Sequence, residues 1–326
     1  MCPDAQFVST GRLPESGEVQ HALDDAHERF ATNHDGHNST VYPALTHADP
    51  SRFGLCLVDV TGHAYTAGEV DVPFTIMSVA KPFVFALVCQ HISPDRAGEL
   101  IGVDATGRRF DSLAAVELSP DGRTNPMVNA GALATTSLIP GATVADKWET
   151  IVDGLSAFAG RPLTIDRSTY ESASASNFRN RALAWTLRGR DRLYGAPDEV
   201  LDLYTRQSCL AVTARDLAIM GATLADGGVN PVTGQRVLDQ ALCHHVLAVM
   251  IIAGLYESSG DWFYRVGLPG KSGIGGGIVT VSPGKAGLGS YSPPLDAAGN
   301  SVRGQLSARY LSQRLGLDLL TSAPAR

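Results

Sequence analysis

Chemistry in this chain is suggested first by a serine and a lysine three positions apart, Ser78 and Lys81, in Phe74-Thr75-Ile76-Met77-Ser78-Val79-Ala80-Lys81-Pro82-Phe83. Residues three apart on a helix share a face, so the Ser78 hydroxyl and the Lys81 amine can meet. A serine hydroxyl is a weak nucleophile until a base takes its proton, and a desolvated lysine amine can be that base. The competing reading is a helix-capping serine beside a solvated lysine. Composition favours the first: of 26 basic residues only Lys81, Lys147, Lys271 and Lys285 are lysine. Arginine keeps its proton near neutral pH, so a base position must stay lysine even in an arginine-biased chain. Lys271 opens Lys271-Ser272-Gly273 between an apolar stretch and a strand-like run. A cation there would disfavour a second positive charge nearby and help to keep Lys81 neutral.

Other clusters carry less. Gly273, Gly275, Gly276 and Gly277 fit neither dinucleotide nor Walker spacing, and a strand follows them rather than a helix. Glycines there instead let backbone N–H groups approach a substrate closely, as an oxyanion site requires. His21, His27, His34 and His37 lack the spacing of a known ligand set, so no metal is expected. Cys2, Cys56, Cys89, Cys209 and Cys243 are odd in number and contain no Cys-x-x-Cys pair, which suits reduced thiols. A cysteine amidase using Cys209 or Cys243 with His244 is a distant alternative.

The elements that must position these groups follow from periodicity. Residues 1–17 are polar, with Pro3, Gly11, Pro14 and Gly17, and read as a loose leader. Val19, Ala22, Leu23, Ala26 and Phe30 keep helical spacing over 18–33. Phe53 to Val60 and His63 to Ala67 read as a hairpin turning at Thr61-Gly62. Residues 81–255 are mostly helical in pattern, broken by loops such as 119–125 and 225–234. Strand signals return at Trp262 to Val266 and Gly277 to Val281, and an amphipathic helix closes the chain near Gln305 to Leu315. The expected class is α+β: an antiparallel sheet flanked by helices, its halves (18–80 and 256–326) separated in sequence by a large helical lobe (81–255) in a single domain. At 326 residues and 44 % hydrophobic content the core is sizeable. A net charge of −7 without a basic run argues against nucleic acid. The longest apolar run, 246–255, is too short to cross a bilayer, and without a signal pattern the expectation is a cytoplasmic protein.

Six blocks in order resemble the serine-dependent glutaminase family, which shares the serine β-lactamase and penicillin-binding fold. They are the Ser78 segment, Asn125-Pro126-Met127-Val128-Asn129-Ala130-Gly131-Ala132, Arg179-Asn180-Arg181-Ala182-Leu183-Ala184, Tyr204-Thr205-Arg206-Gln207 with Asp216-Leu217-Ala218, Gly254-Leu255-Tyr256-Glu257, and residues 266–277 around Lys271. The Lys271 element is similar to the Lys-Thr-Gly of penicillin-recognising enzymes. The resemblance implies hydrolysis of the side-chain amide of L-glutamine through a Ser78 ester, with Lys81 as general base and Tyr256 as proton relay. It implies an oxyanion hole from the N–H groups of Ser78 and Ile274, and substrate contacts from Asn129, Asn180 and Tyr204. It implies no metal or organic cofactor, and a homodimer or homotetramer.

Two positions depart from the family. Its glutamate seven residues before Asn180, which helps to bind the substrate ammonium, is Ala173 here. Glu171 lies two residues away, a shift that turns a side chain elsewhere. A family tyrosine falls on Val41, with Tyr42 adjacent. An unpaired ammonium in a partly buried pocket loses about 2–3 kcal/mol, so weaker glutamine binding or turnover of another small amide is expected. A glutamine sensor without turnover is an alternative. A β-lactam-recognising enzyme is a lesser one, since no Ser-Asp-Asn, Ser-x-Asn or Tyr-x-Asn triplet occurs.

Overall fold

A computed structural model of the chain describes residues 11–322. Residues 1–10 of the expected leader lie outside that range, and the leader ends early because α1 (Ser16–Ala31) includes Ser16 and Gly17. Val19, Ala22, Leu23 and Ala26 are buried along one face of α1, as their spacing requires. β1 (Gly54–Asp59) and β2 (Ala64–Gly68) form the expected hairpin. Next come β3 (Phe74–Thr75), a 3-10 turn over Met77–Val79, and α2 (Ala80–Ile92).

The helical stretch continues with α3 (Pro94–Ile101), α4 (Ala114–Glu117), α5 (Asn129–Ser137) and α6 (Val144–Ala159). Beyond it lie β4 (Thr164–Ile165), α7 (Arg167–Ser176), α8 (Phe178–Gly189), α9 (Pro197–Ser208), β5 (Leu210–Val212), α10 (Ala214–Ala225) and α11 (Gln240–Ala253). The chain closes with α12 (Ser259–Val266), β6 (Gly270–Ser272), β7 (Gly277–Ser282), β8 (Ala286–Tyr291) and α13 (Val302–Arg314). α12 occupies the segment expected as the strand Trp262 to Val266. Aromatic and β-branched residues there imitate a strand, but Trp262 and Val266 are buried four apart on one helical face while Tyr264 is 88 % exposed. Gly267, at φ 69, ends the helix in the left-handed conformation that glycine takes freely.

Five strands form one antiparallel sheet in the order β2-β1-β8-β7-β6, so early and late segments pair directly: Leu57 faces Leu288 across β1 and β8. Both faces are covered. Leu55, Leu57, Ile278 and Leu288 pack with Leu23 of α1 and Leu311 of α13, whereas Cys56, Val58, Val279 and Val281 face the other way with Leu217 of α10. β1, β7 and β8 are therefore buried at nearly every position rather than at alternate ones. α10 lies so close to β8 that a Cβ on Gly289 would overlap Ala214 O, and one on Gly287 would overlap Ala222 N. A second, three-stranded sheet, β3-β5-β4, ties the approach to Ser78 into the helices, with Phe74 opposite Val212.

Candidate active site

Ser78 sits in the 3-10 turn that joins β3 to α2, and its neighbours fix the turn. Ile76 N donates to Leu210 O at 2.9 Å and Val79 N to Ile76 O at 3.1 Å. Met77 is held at φ 48, a conformation costly for a residue with a Cβ, and is buried with Leu45, Ala173 and Cys209. Tyr256 is likewise at φ 56. Such outliers persist only where the surroundings over-determine them, and they gather at functional sites.

The β6–β7 turn closes against this segment, and its glycines are what allow the approach. A Cβ on Gly275 would overlap Thr75 O, and one on Gly273 would stand 2.8 Å from Ile76 O and 3.3 Å from Ser78 N. The glycine cluster thus serves turn-against-turn packing beside Ser78 rather than an open cradle. Neither Ser78 N nor Ile274 N has a carbonyl or carboxylate acceptor among the described residues. Ile274 N–H lies beside the Tyr256 hydroxyl, as does the Ser78 hydroxyl.

Lys81, in the first turn of α2, is 2 % exposed. Its Nζ donates to Asn129 Oδ1 at 2.7 Å and to Met127 O at 3.2 Å. No hydrogen bond joins it to Ser78 Oγ among the described residues; Ser78 and Asn129, the side chain that accepts from Lys81, both line one cleft. Burial, against the smaller opposing pull of the Asp111 charge, pushes the Lys81 amine down to about 7. Its two acceptors match the two N–H bonds of a neutral amine and leave the lone pair uncommitted.

Lys271 is fully buried and donates to Gly254 O at 2.9 Å and Ser272 O at 2.6 Å, with its Nζ 4.4 Å from the Tyr256 ring centre. Burial drives its amine well below the ordinary lysine value, and the charge of Lys81 drives it further. Repulsion between the two amines is mutual, so each disfavours the other's positive charge.

A chain of amides extends from Lys81. Asn129 Nδ2 donates to Asn180 Oδ1 at 2.8 Å, Asn180 Nδ2 to Asn177 Oδ1 at 2.7 Å, and Asn177 Nδ2 to Thr205 Oγ1 at 2.9 Å. Each link fixes which end of the next amide is oxygen. Tyr204 OH donates to Asn129 Oδ1 at 3.3 Å, and burial holds its phenol well above the usual value. The Tyr256 phenol is raised in the same way and donates to Ser272 O at 3.2 Å. Both stay protonated near neutral pH and serve as donors.

Ser78, Asn129, Asn180, Tyr204 and Ile274 line one cleft of about 120 Å³, with Val41, Tyr42, Phe110 and Asp111 also in its wall. Tyr256 stands behind it with its ring 4.5 Å from that of Phe110. A larger cavity of about 570 Å³, between α3 and the 102–124 segment, contains none of these groups. Cys209 and Cys243 are buried and their thiols pushed up to about 12, which removes the thiolate that a cysteine amidase needs.

The model of the family described as Glutaminase matches residues 36–320. The chain is 58 % identical to Glutaminase 2 of Yersinia pestis, over 98 % of this chain and 94 % of that one. It is 44 % identical to a glutaminase of Mycobacterium ulcerans, over 93 % and 95 %. Among solved structures, the probable glutaminase ybaS superposes with a TM-score of 0.93 at 40 % identity, covering 95 % of this chain and all of that one. Mglu in its glutamate form gives 0.87 at 36 %, covering 94 % and 71 %. The chain belongs to the glutaminase family.

As a member of the glutaminase family it has the expected α+β, serine β-lactamase-like fold. Its two departures have clear physical outcomes. Ala173 is 1 % exposed and packs behind Met77, while Glu171 is exposed and faces a groove with Trp148 and Arg206, away from the cleft. Val41 is 53 % exposed at the cleft mouth. Tyr42 turns inward, donating to Asn177 Oδ1 at 3.3 Å and accepting from Asn180 Nδ2 at 3.5 Å.

Three contributors escaped the sequence reading. Asn177 carries a signal, standing one helical turn before Asn180 on the same face. Phe110 carries none, because the loop that holds it has no periodicity. That loop is anchored by Glu257 Oε1, which accepts from Phe110 N at 2.7 Å, and by Phe110 O, which accepts from Asn129 N at 2.8 Å. The Met127 carbonyl is the third, and a backbone acceptor leaves no mark on residue type.

Proposed function

We propose that this chain hydrolyses the side-chain amide of L-glutamine to L-glutamate and ammonia through an ester on Ser78. Lys81, as the neutral amine, takes the Ser78 proton as Oγ adds to the amide carbon. The Ser78 and Ile274 N–H groups receive the developing oxyanion. Tyr256, protonated and beside Ser78, passes its proton to the departing ammonia and is reprotonated with the proton Lys81 took, which restores both groups; water then adds to the ester carbon, giving up a proton to neutral Lys81 that is returned to the Ser78 oxygen as glutamate leaves. Asn129, Asn180 and Tyr204 orient the amino-acid end of the substrate.

The observation that carries this reading is Lys81. It is a buried lysine with no carboxylate in hydrogen-bond contact among the described residues, with its amine held down to about 7 and two acceptors for its two N–H bonds, next to a cleft lined by a serine in a strained turn. A solvated lysine beside a capping serine would show none of these features. Ammonia release from L-glutamine by the wild type and by Ser78→Ala tests the reaction. Release is expected and Ser78→Ala should abolish it; equal rates from both proteins would end the serine mechanism. Release by neither, with L-glutamate still bound, would favour the sensor.

A further inference from the structure

The cleft is rich in free donors and short of free acceptors. Its charged lining residues are Arg109, Asp111 and Arg179. Asp111 is engaged: its Oδ1 accepts from Arg109 Nε at 3.2 Å, and its main-chain oxygen accepts from Arg179 Nε at 2.8 Å. Both guanidiniums are held through Nε, and their terminal nitrogens have no hydrogen-bond acceptor among the described residues. They are oriented and unspent.

The amide oxygens are committed. Asn129 Oδ1 takes Lys81 and Tyr204, Asn177 Oδ1 takes Tyr42 and Asn180, and Asn180 Oδ1 takes Asn129. The wall beyond Met77 is apolar, formed by Leu45, Ala173 and Cys209. A carboxylate entering this cleft meets two guanidinium edges suited to planar, paired hydrogen bonds. An ammonium brings three N–H bonds and finds one half-used amide oxygen, the lone pairs of Ser176 and Ser208, and a single lining carboxylate, Asp111, whose charge is already paired with Arg109. Removing the ammonium from the substrate therefore costs this cleft little.

We propose that the cleft recognises its substrate by the carboxylate and is nearly indifferent to an α-ammonium, so that half-amides of five-carbon dicarboxylic acids without the ammonium are accepted about as well as L-glutamine. This rests on the amide-hydrolysis reading above and names the substrate class of that same site. The bond broken is the same C–N amide bond: water adds, and a dicarboxylate and ammonia leave.

The test compares kcat/KM for L-glutamine and glutaramate, 4-carbamoylbutanoate, which differ only in the ammonium, by ammonia release. The two values should agree within roughly tenfold. A preference for L-glutamine of about thirtyfold or more overturns the proposal, and any smaller ratio supports it. Calorimetric binding of glutarate against L-glutamate, with the same threshold, decides the point without turnover. If neither amide is hydrolysed, the reaction fails while the binding ratio still judges this proposal, and absence of heat from both ligands at millimolar concentration overturns it. Arg109→Gln and Arg179→Gln, both on the exposed rim, should together raise KM for both amides by roughly tenfold with kcat held. An unchanged KM would remove the guanidiniums from recognition and overturn it as well.

Discussion

At the scale of single residues, one acceptor sets how Lys81 behaves. Asn129 Oδ1 is neutral and takes one N–H from the amine at 2.7 Å. Asn129→Asp would place a negative charge at that distance, and an opposite charge so close favours the ammonium. The wild-type pH–rate profile should rise with pH through about 7, where the buried amine loses its proton. In Asn129→Asp that rise should move up by roughly one to three pH units, with activity at pH 7 falling at least about tenfold. A profile left in place would show that Lys81 is not the base. Tyr256→Phe removes the hydroxyl beside Ser78 and keeps the ring against Phe110. It should lower kcat by about 10²–10⁴-fold, the usual reach of a positioned proton donor, with the fold intact by circular dichroism.

Among these residues, the groups that carry charge or a nucleophile were legible because their types are constrained. Ser78 and Lys81 stand out by scarcity and spacing, and Asn129, Asn180, Tyr204 and Ile274 do line one cleft. What stayed hidden were backbone acceptors and loop residues such as Met127 and Phe110, whose part depends on where the chain passes rather than on what it is made of.

At the scale of elements, the close approach of α10 to β8 was invisible in the sequence for the same reason. The strand over Ala286–Tyr291 gave no signal of its own, and only packing shows that backbone atoms of α10 occupy the space a side chain on Gly287 or Gly289 would need. Gly289→Ala sets its new methyl against Ala214 O and Ala218 N, neither of which can move without shifting the helix. It should destabilise by about 1–3 kcal/mol or more, in the range of overpacked cores, read as a lower denaturation midpoint with an unchanged slope. The exposed Gly189 in α8, which has open space around it, should accept alanine with a gain of a few tenths to about 1 kcal/mol. The misread Trp262 to Val266 segment makes the converse point. Its residue types favour a strand, but burying Trp262 and Val266 on one face, with the indole N–H donating to Leu268 O at 2.8 Å, selects the helix.

At the scale of the whole molecule, buried ionisable groups make stability depend on pH in two opposing ways. Lys81 and Lys271 have folded values depressed below the 10.5 of an exposed lysine. The unfolded chain then binds more protons than the folded one between about 7 and 10.5, so these groups make stability rise with pH across that window, by up to about 1.4 kcal/mol per pH unit each. Cys56, Cys89, Cys209 and Cys243 are pushed from 9.0 up to about 12, and Tyr42 and Tyr291 from 10.0 up to about 12. Their contribution is fully present below the unfolded values and is lost as pH rises towards 12, because the unfolded chain ionises first. Four thiols outweigh two amines above 9. Stability should therefore climb from pH 7 to a crest near 9 and then fall, measured as urea midpoints at unit pH intervals in reducing buffer. Lys81→Met should reduce the climb to the share that Lys271 supplies and leave the alkaline fall, separating the two causes; a steady decline from pH 7 to 9 in the wild type would mean that the amines are paired or solvated in solution.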